Sequence, residues 1–326
     1  MAWGLLRLGR FEEAALHYRD LAAEVPADVD ALRGLAESLI GLKRYAEAIS
    51  LLQVAAEREP ANPDVQHLLG QAYTGRGELQ DALAAYRRVR TLDPNDAHAL
   101  TNIAATLFRL GHWEEVVSRS EEALAIQPHP ATVHNLGLAL MELGRWDEAA
   151  DAFQKLVRLQ PDSSDAQSYL ALALTESGHH DAAIRLLDEV TRGRTTNGLA
   201  LTALAHALRR AGRLPEAREA ARTAVAEAPS LPEAHRAGGW ASFDAGSAED
   251  ALESFQEALR LAPADLDAEL GQAVALSALE KHQAAVESFD RALAKSPDWP
   301  DDYPELRRYL ETSTRATVKR RDAEIS

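Results

Sequence analysis

The chain has 326 residues, no cysteine, and 51 acidic against 35 basic residues, a formal charge of −16. Missing thiols exclude disulfides, thiolate metal sites and cysteine nucleophiles. The acidic excess argues against a nucleic-acid partner, which calls for a basic stripe, and no apolar run approaches the ~20 residues of a membrane span.

The first stretch, MAWGLLRLGRF, lacks the basic start, long apolar core and small-residue cleavage site of a secretion signal. A cytoplasmic address is expected, unless the natural chain is longer and a leader has been cut away. Gly9 and Ala14 open two series that run on through the chain. Prolines 26, 60, 94 and 128 are 34 apart; Pro161, Pro229, Pro263 and Pro297 continue the ruler, with Thr195 in the missing place. Twelve residues before each mark stand Ala14, Ala48, Ala82, Val116, Ala149, Ala183, Ala217, Ala251 and Ala285. Seventeen before stand Gly9, Gly77, Gly111, Gly144, Gly178, Gly212 and Gly246, with Lys43 and Glu280 as exceptions. A fixed period of this length means stacked units, each touching only its neighbours.

Within the period, apolar spacing predicts helices over residues 11–24, 28–41, 45–57, 63–74 and 79–91, and the later units repeat the pattern. Gly77 is suited to the left-handed residue that ends a helix. Acids such as Glu47, Asp81, Glu114 and Glu115 recur where second helices start, where they complement the helix dipole; that recurrence argues against reading Glu114–Glu115 as a catalytic pair. One residue is missing between Pro128 and Gly137 relative to Pro60 and Gly70, so a changed rotation is expected there. Trp113 and Trp146 open second helices as packing wedges. The segment 191–198 has no terminal proline and two glycines; it reads either as a hinge or as an ordinary connection of degenerate sequence.

These residues make the chain resemble the tetratricopeptide repeat family. Its unit carries a small residue in the first helix, here Ala36, Gly70, Ala104, Gly137, Ala171, Ala205, Gly239 or Ala273. An aromatic sits in the second, here Tyr18, Tyr86, Phe153, Phe255 or Phe289, with Leu52, Ser120, Leu187 and Ala221 departing from it. The resemblance implies an all-α, right-handed superhelical solenoid of about nine helix–turn–helix units over residues 1–297, the first one incomplete. A capping helix from Pro304 and a polar, disordered tail would occupy 298–326. Trp3, Leu5 and Leu8 of the incomplete unit lack upstream neighbours, so fraying or self-association is expected at that end.

No enzyme constellation is present: no His-Glu-x-x-His, phosphate loop or nucleophile elbow. No catalytic residue, cofactor or metal is expected. The resemblance places a peptide or helix ligand in the groove lined by first helices. Its inward places hold Arg33, Glu37, His67, Gln71, Thr101, Asn102, Arg109, His134, Asn135, Tyr169, His206, Arg209, Arg236 and Trp240. Asn102 and Asn135 share one place in successive units and either grip a peptide backbone or make local polar contacts. Trp240, with Arg236 one turn earlier, is either an interface anchor or core. The family's Lys–Asn clamp for chaperone tails is absent, so that ligand is not expected. The chain reads as a protein-binding scaffold; the alternative is the regulatory or substrate-presenting arm of a larger enzyme such as a glycosyltransferase.

Overall fold

The computed structural model describes residues 2–25, 28–192 and 198–295, and among them every regular element is a helix. The chain divides into two compact units, Met1–Leu159 and Gln160–Ser326. The first holds α1 (Ala2–Arg7), α2 (Phe11–Glu24), α3 (Val29–Gly41), α4 (Tyr45–Arg58), α5 (Pro63–Arg76), α6 (Leu79–Leu92), α7 (Ala97–Arg109), α8 (Trp113–Ile126), α9 (Pro130–Glu142) and α10 (Trp146–Leu159). The second holds α11 (Ser164–Glu176), α12 (His180–Thr191), α13 (Gly198–Arg210), α14 (Leu214–Glu227), α15 (Pro232–Asp244), α16 (Ala248–Leu261), α17 (Leu266–Ala278) and α18 (His282–Lys295). Odd-numbered helices are the first helices of each pair and even-numbered ones the second. Within each unit this is the repeated helix–turn–helix packing of a solenoid. Segment 191–198 lies inside the second unit, with 193–197 outside the described residues. The expected capping helix and tail also fall outside them.

Starts and stops are set locally. Asp28, Asn62, Asp96, Ser163 and Asp265, each two residues after a ruler proline, accept hydrogen bonds from backbone N–H groups in the first turns of α3, α5, α7, α11 and α17. Such caps are worth about 1 kcal/mol each. Before α9 the shortened connection leaves His129 as the flanking residue, and its side chain makes no cap. The pairs turn through one left-handed residue. All seven glycines of the series have positive φ, and Lys43 (60°) and Glu280 (58°) adopt it in their two places. A β-carbon there costs roughly 1–2 kcal/mol, so the two exceptions mark the strained turns.

Second helices carry a feature the spacing alone does not announce. Arg10, Arg44, Arg145 and Arg213, the residues just before α2, α4, α10 and α14, each fork onto a glutamate three residues on: Glu13, Glu47, Glu148 and Glu216. The arginine bond holds the carboxyls of Glu47, Glu148 and Glu216 below the usual range. Their contribution is therefore present above the ordinary glutamate pKa and lost as pH falls through the lowered folded value. All are solvent-facing, so it is small.

The core is built on the alanine series. Ala14, Ala48, Ala82, Val116, Ala149, Ala183, Ala217, Ala251 and Ala285 are each 0% exposed. These are the points of closest helix approach, where a larger side chain has no room. Ala82→Leu is expected to overpack this joint and cost about 1–3 kcal/mol; an unchanged thermal midpoint would refute the placement.

A second pattern links the two helices of a pair. Where the second helix presents an aromatic at one core place, the first presents glycine sixteen residues earlier: Gly70 with Tyr86, Gly137 with Phe153, Gly239 with Phe255. A β-carbon at these glycines would lie 2.5 to 2.6 Å from the ring. Where the second-helix residue is Leu52, Ser120, Leu187 or Ala221, the first helix holds Ala36, Ala104, Ala171 or Ala205. Volume is shared between the two places. Ala2 with Tyr18 and Ala273 with Phe289 are the exceptions, and both rings are only partly buried.

Candidate functional site

The candidate side chains stand on the first helices, and in each unit they form chains of contacts from one first helix to the next. In the first unit Arg33 of α3 pairs with Asp30 at 3.0 Å and with Asp64 of α5. His67 of α5 lies edge-on to Tyr86, ring centroids 5.6 Å apart. Its imidazole nitrogen is 3.3 Å from the Asn102 amide on α7. Burial pushes the His67 pKa down, which favours the neutral ring. Thr101 of α7 shares a 2.7 Å hydrogen bond with Thr132 of α9. Arg109 donates to the Thr74 carbonyl oxygen at 3.1 Å. His134 packs edge-on to Phe153.

The two asparagines thus differ. Asn102 is engaged in a local polar contact, whereas half-buried Asn135 has no side-chain partner among the described residues. A recess of about 420 Å³ collects Arg33, Glu37, His67 and Gln71 with Tyr18 and Trp3. Trp3 is 69% exposed and Leu8 73%, and Leu16, Leu21 and Val25 of the same helix pair and its end are also exposed.

In the second unit Tyr169 of α11 is half-buried, and burial raises the pKa of its hydroxyl. The imidazole of His206 on α13 lies 2.5 Å from Glu176 of α11, which Arg210 approaches at 3.7 Å. Burial alone would raise the Glu176 pKa; the His206 hydrogen bond and the nearby arginine charges more than offset it, and the net direction is down. The pair therefore contributes stability above the ordinary glutamate pKa that is lost as pH falls through the lowered value. Arg209 pairs with Asp244 at 3.2 Å, and its guanidinium lies 5.5 Å from the Trp240 ring centroid. Arg236, singled out in the sequence as the companion of Trp240, is instead held by Asp265, which caps α17, at 2.8 Å and by Asp267 in its first turn at 3.2 Å. Burial by itself would favour losing its proton, but the two aspartates keep it charged.

Trp240 answers to both of its readings. Its ring stacks edge-on with buried Phe255 at 5.1 Å and with Phe243 at 6.3 Å, yet it also lines a recess of about 150 Å³ with His206, Arg209 and Arg236. Sequence reading missed the acids of this site: Glu176, Glu233, Asp244, Asp265 and Asp267. A signal existed, since Arg33–Asp64, Arg236–Asp265 and Arg209–Asp244 are 31, 29 and 35 residues apart, about one period. Among the described residues no group of three or more His, Cys, Asp or Glu is placed to hold a metal, and no helix is long and apolar enough to cross a membrane.

Comparison with known proteins gives a consistent picture. The family description "Tetratricopeptide repeat" matches residues 134–197, 176–232, 202–265 and 236–300, and again 5–72; "TPR repeat" matches 70–111. A Hsp70-Hsp90 organizing protein of Triticum aestivum is 34% identical over 88 residues, 27% of this chain and 15% of that one. A probable UDP-N-acetylglucosamine–peptide N-acetylglucosaminyltransferase SPINDLY of Hordeum vulgare is 27% identical over 137 residues, 40% of this chain and 14% of that one. The chain thus spans about one seventh of the length of these relatives. Among solved structures, a tetratricopeptide repeat protein from Parabacteroides merdae aligns with a TM-score of 0.66 at 18% identity, over 76% of this chain and 98% of that one. The Cut9–Hcn1 complex aligns at 0.55 and 17% identity, over 82% and 52%. At such identities the likeness shows the fold.

Proposed function

The chain belongs to the tetratricopeptide repeat family, whose repeats mediate protein–protein interaction, and from that premise we propose that it is a non-catalytic scaffold holding a peptide or helix of another protein against its first helices. The observation that carries the reading is the state of that face. Most of its polar side chains are tied into contacts between neighbouring first helices, and Glu37, Gln71 and Asn135 are left uncommitted among the described residues. A preorganised polar face with a few free donors and acceptors and a part-exposed tryptophan is what a bound polypeptide needs. Asn135 can donate to and accept from a peptide backbone at once.

The test is a pull-down with the intact chain beside an Asn102→Ala, Asn135→Ala, Trp240→Ala variant whose helical content is checked by circular dichroism. Loss of specific partners from the variant is expected; identical partner sets would move the site off this face. Neither relative's named partner transfers to this chain, because the matches cover small parts of both. The family's Lys–Asn carboxylate clamp has no counterpart at Arg33, Glu37, His67 or Gln71.

The similarity to the barley glycosyltransferase favours a second reading: a regulatory or substrate-presenting arm of a larger enzyme. An in-frame transferase domain in the natural gene beside these 326 residues would support it. The exposed Trp3, Leu8, Leu16 and Leu21 further suggest self-association through the first helix pair. Sedimentation velocity is expected to show mass rising with concentration, and a Trp3→Ser, Leu8→Ser variant to remain monomeric; a monomer at high concentration for the parent chain would remove the idea.

A further inference from the structure

We propose that the recess between α13, α15 and α17 receives a lysine or arginine side chain of the bound polypeptide, with Glu233 and Asp267 as its counter-charges. The inference rests on the first-helix face being the binding face. At about 150 Å³ the recess is smaller than the ~300–1,000 Å³ of small-molecule sites. It is sized for one side chain rather than a cofactor. Its wall includes Leu172, Ala203 and Ala237, an apolar lining for the methylene stem of a long cationic side chain.

The cations beside it are already neutralised. Arg209 and Arg236 are the cations, and both are committed, to Asp244 and to Asp265 with Asp267. Glu233 and Asp267 line the recess beside them, and Asp244 and Asp265, which hold the arginines from outside the lining, bring the local count to four acids against two arginines.

Glu233 decides the sign. It stands in the first turn of α15 and lines the recess. Its Oε2 is buried and has no hydrogen-bond partner among the described residues. A buried acceptor without a donor is a standing cost of the free protein, relieved when a ligand supplies one. A cationic donor that reaches Glu233 from the recess interacts with the whole carboxylate, whose charge is shared over both oxygens. Asp267, whose side chain is 40% exposed, offers the second oxygen set beyond its bond to Arg236. An ammonium or guanidinium group carries the several donors such a pair can use.

The test exposes the full chain, immobilised, to a random nonapeptide library at physiological salt, followed by sequencing of the retained peptides. Lysine or arginine is expected to be enriched at one register position. Replacing that residue by norleucine or citrulline in a retained peptide, which needs no change to the protein, is expected to weaken binding about tenfold or more. Glu233→Gln/Asp267→Asn should abolish the enrichment while peptides are still retained. Glu249→Gln/Glu253→Gln, which removes the same charge from exposed places on α16, should leave it intact. Peptides retained without a positional preference for a cation, or a preference that survives in the recess variant or falls equally in the α16 variant, would overturn the proposal and leave the binding face standing. No retained peptides at all would remove the binding face and the proposal together.

Discussion

Replacing Phe255 by alanine is expected to cost about 3–5 kcal/mol of stability, the range for emptying a fully buried aromatic site. The ring is 0% exposed. It rests on backbone at two places, since a β-carbon at Gly239 of α15 would meet it at 2.6 Å and one at Gly271 of α17 would also collide with it. Trp240 closes a third side. Two of the surfaces are glycine backbone, which has no side chain to swing into the space. The ring also joins α16 to α17, so its loss weakens the junction between consecutive pairs as well as one pair. In an array held together by nearest-neighbour contacts, the helices beyond a weakened junction open first. Hydrogen exchange is expected to show α17 and α18 losing protection before α13 and α14. A midpoint within error of the parent, or uniform loss of protection, would contradict this account.

The second large effect concerns Glu269 on α17. Its side chain is 4% exposed and is held by Arg291 at 2.6 Å and by Lys295, both from α18. Lys295 also donates to the Pro263 carbonyl oxygen at 2.8 Å. An Arg291→Ala/Lys295→Ala variant leaves a buried carboxylate without counter-charge, which costs about 3–5 kcal/mol. Adding Glu269→Leu to that variant removes the stranded charge and is expected to restore most of the loss. Urea denaturation of the parent, double and triple variants measures the coupling directly. If the triple variant is no more stable than the double, the loss comes from packing of the cations' stems and the electrostatic explanation fails.

The parts of this molecule that were legible in the sequence are those where geometry leaves few chemical choices. A left-handed turn residue admits glycine far more easily than anything else, so seven glycines in phase marked their turns, and the same phase located Lys43 and Glu280 as the two places that break the preference. Close helix approach admits alanine, so the alanine series named the tightest points of the core. The ion pairs between first helices were harder to read. Arginine reaches several partners from one backbone position, and nothing local to Arg236 says that it turns to Asp265 while Arg209 takes the Trp240 ring. Glu233 went unnoticed because its distinction is the donor it lacks. The forks from Arg10, Arg44, Arg145 and Arg213 were hidden by reading the acids alone and attributing them to the helix dipole.

The sharing of volume between places sixteen residues apart has a consequence for how such a chain can change over time. A whole helix pair can be duplicated, because each first-helix residue travels with the second-helix side chain it is matched to. A genetic exchange whose breakpoint falls between the two helices of a pair instead mates glycine with leucine, leaving a void, or alanine with a fully buried ring such as that of Phe153, where the added methyl collides. Inheritance by intact blocks, with crossovers tolerated only at the joints, follows from a few ångströms of missing β-carbon.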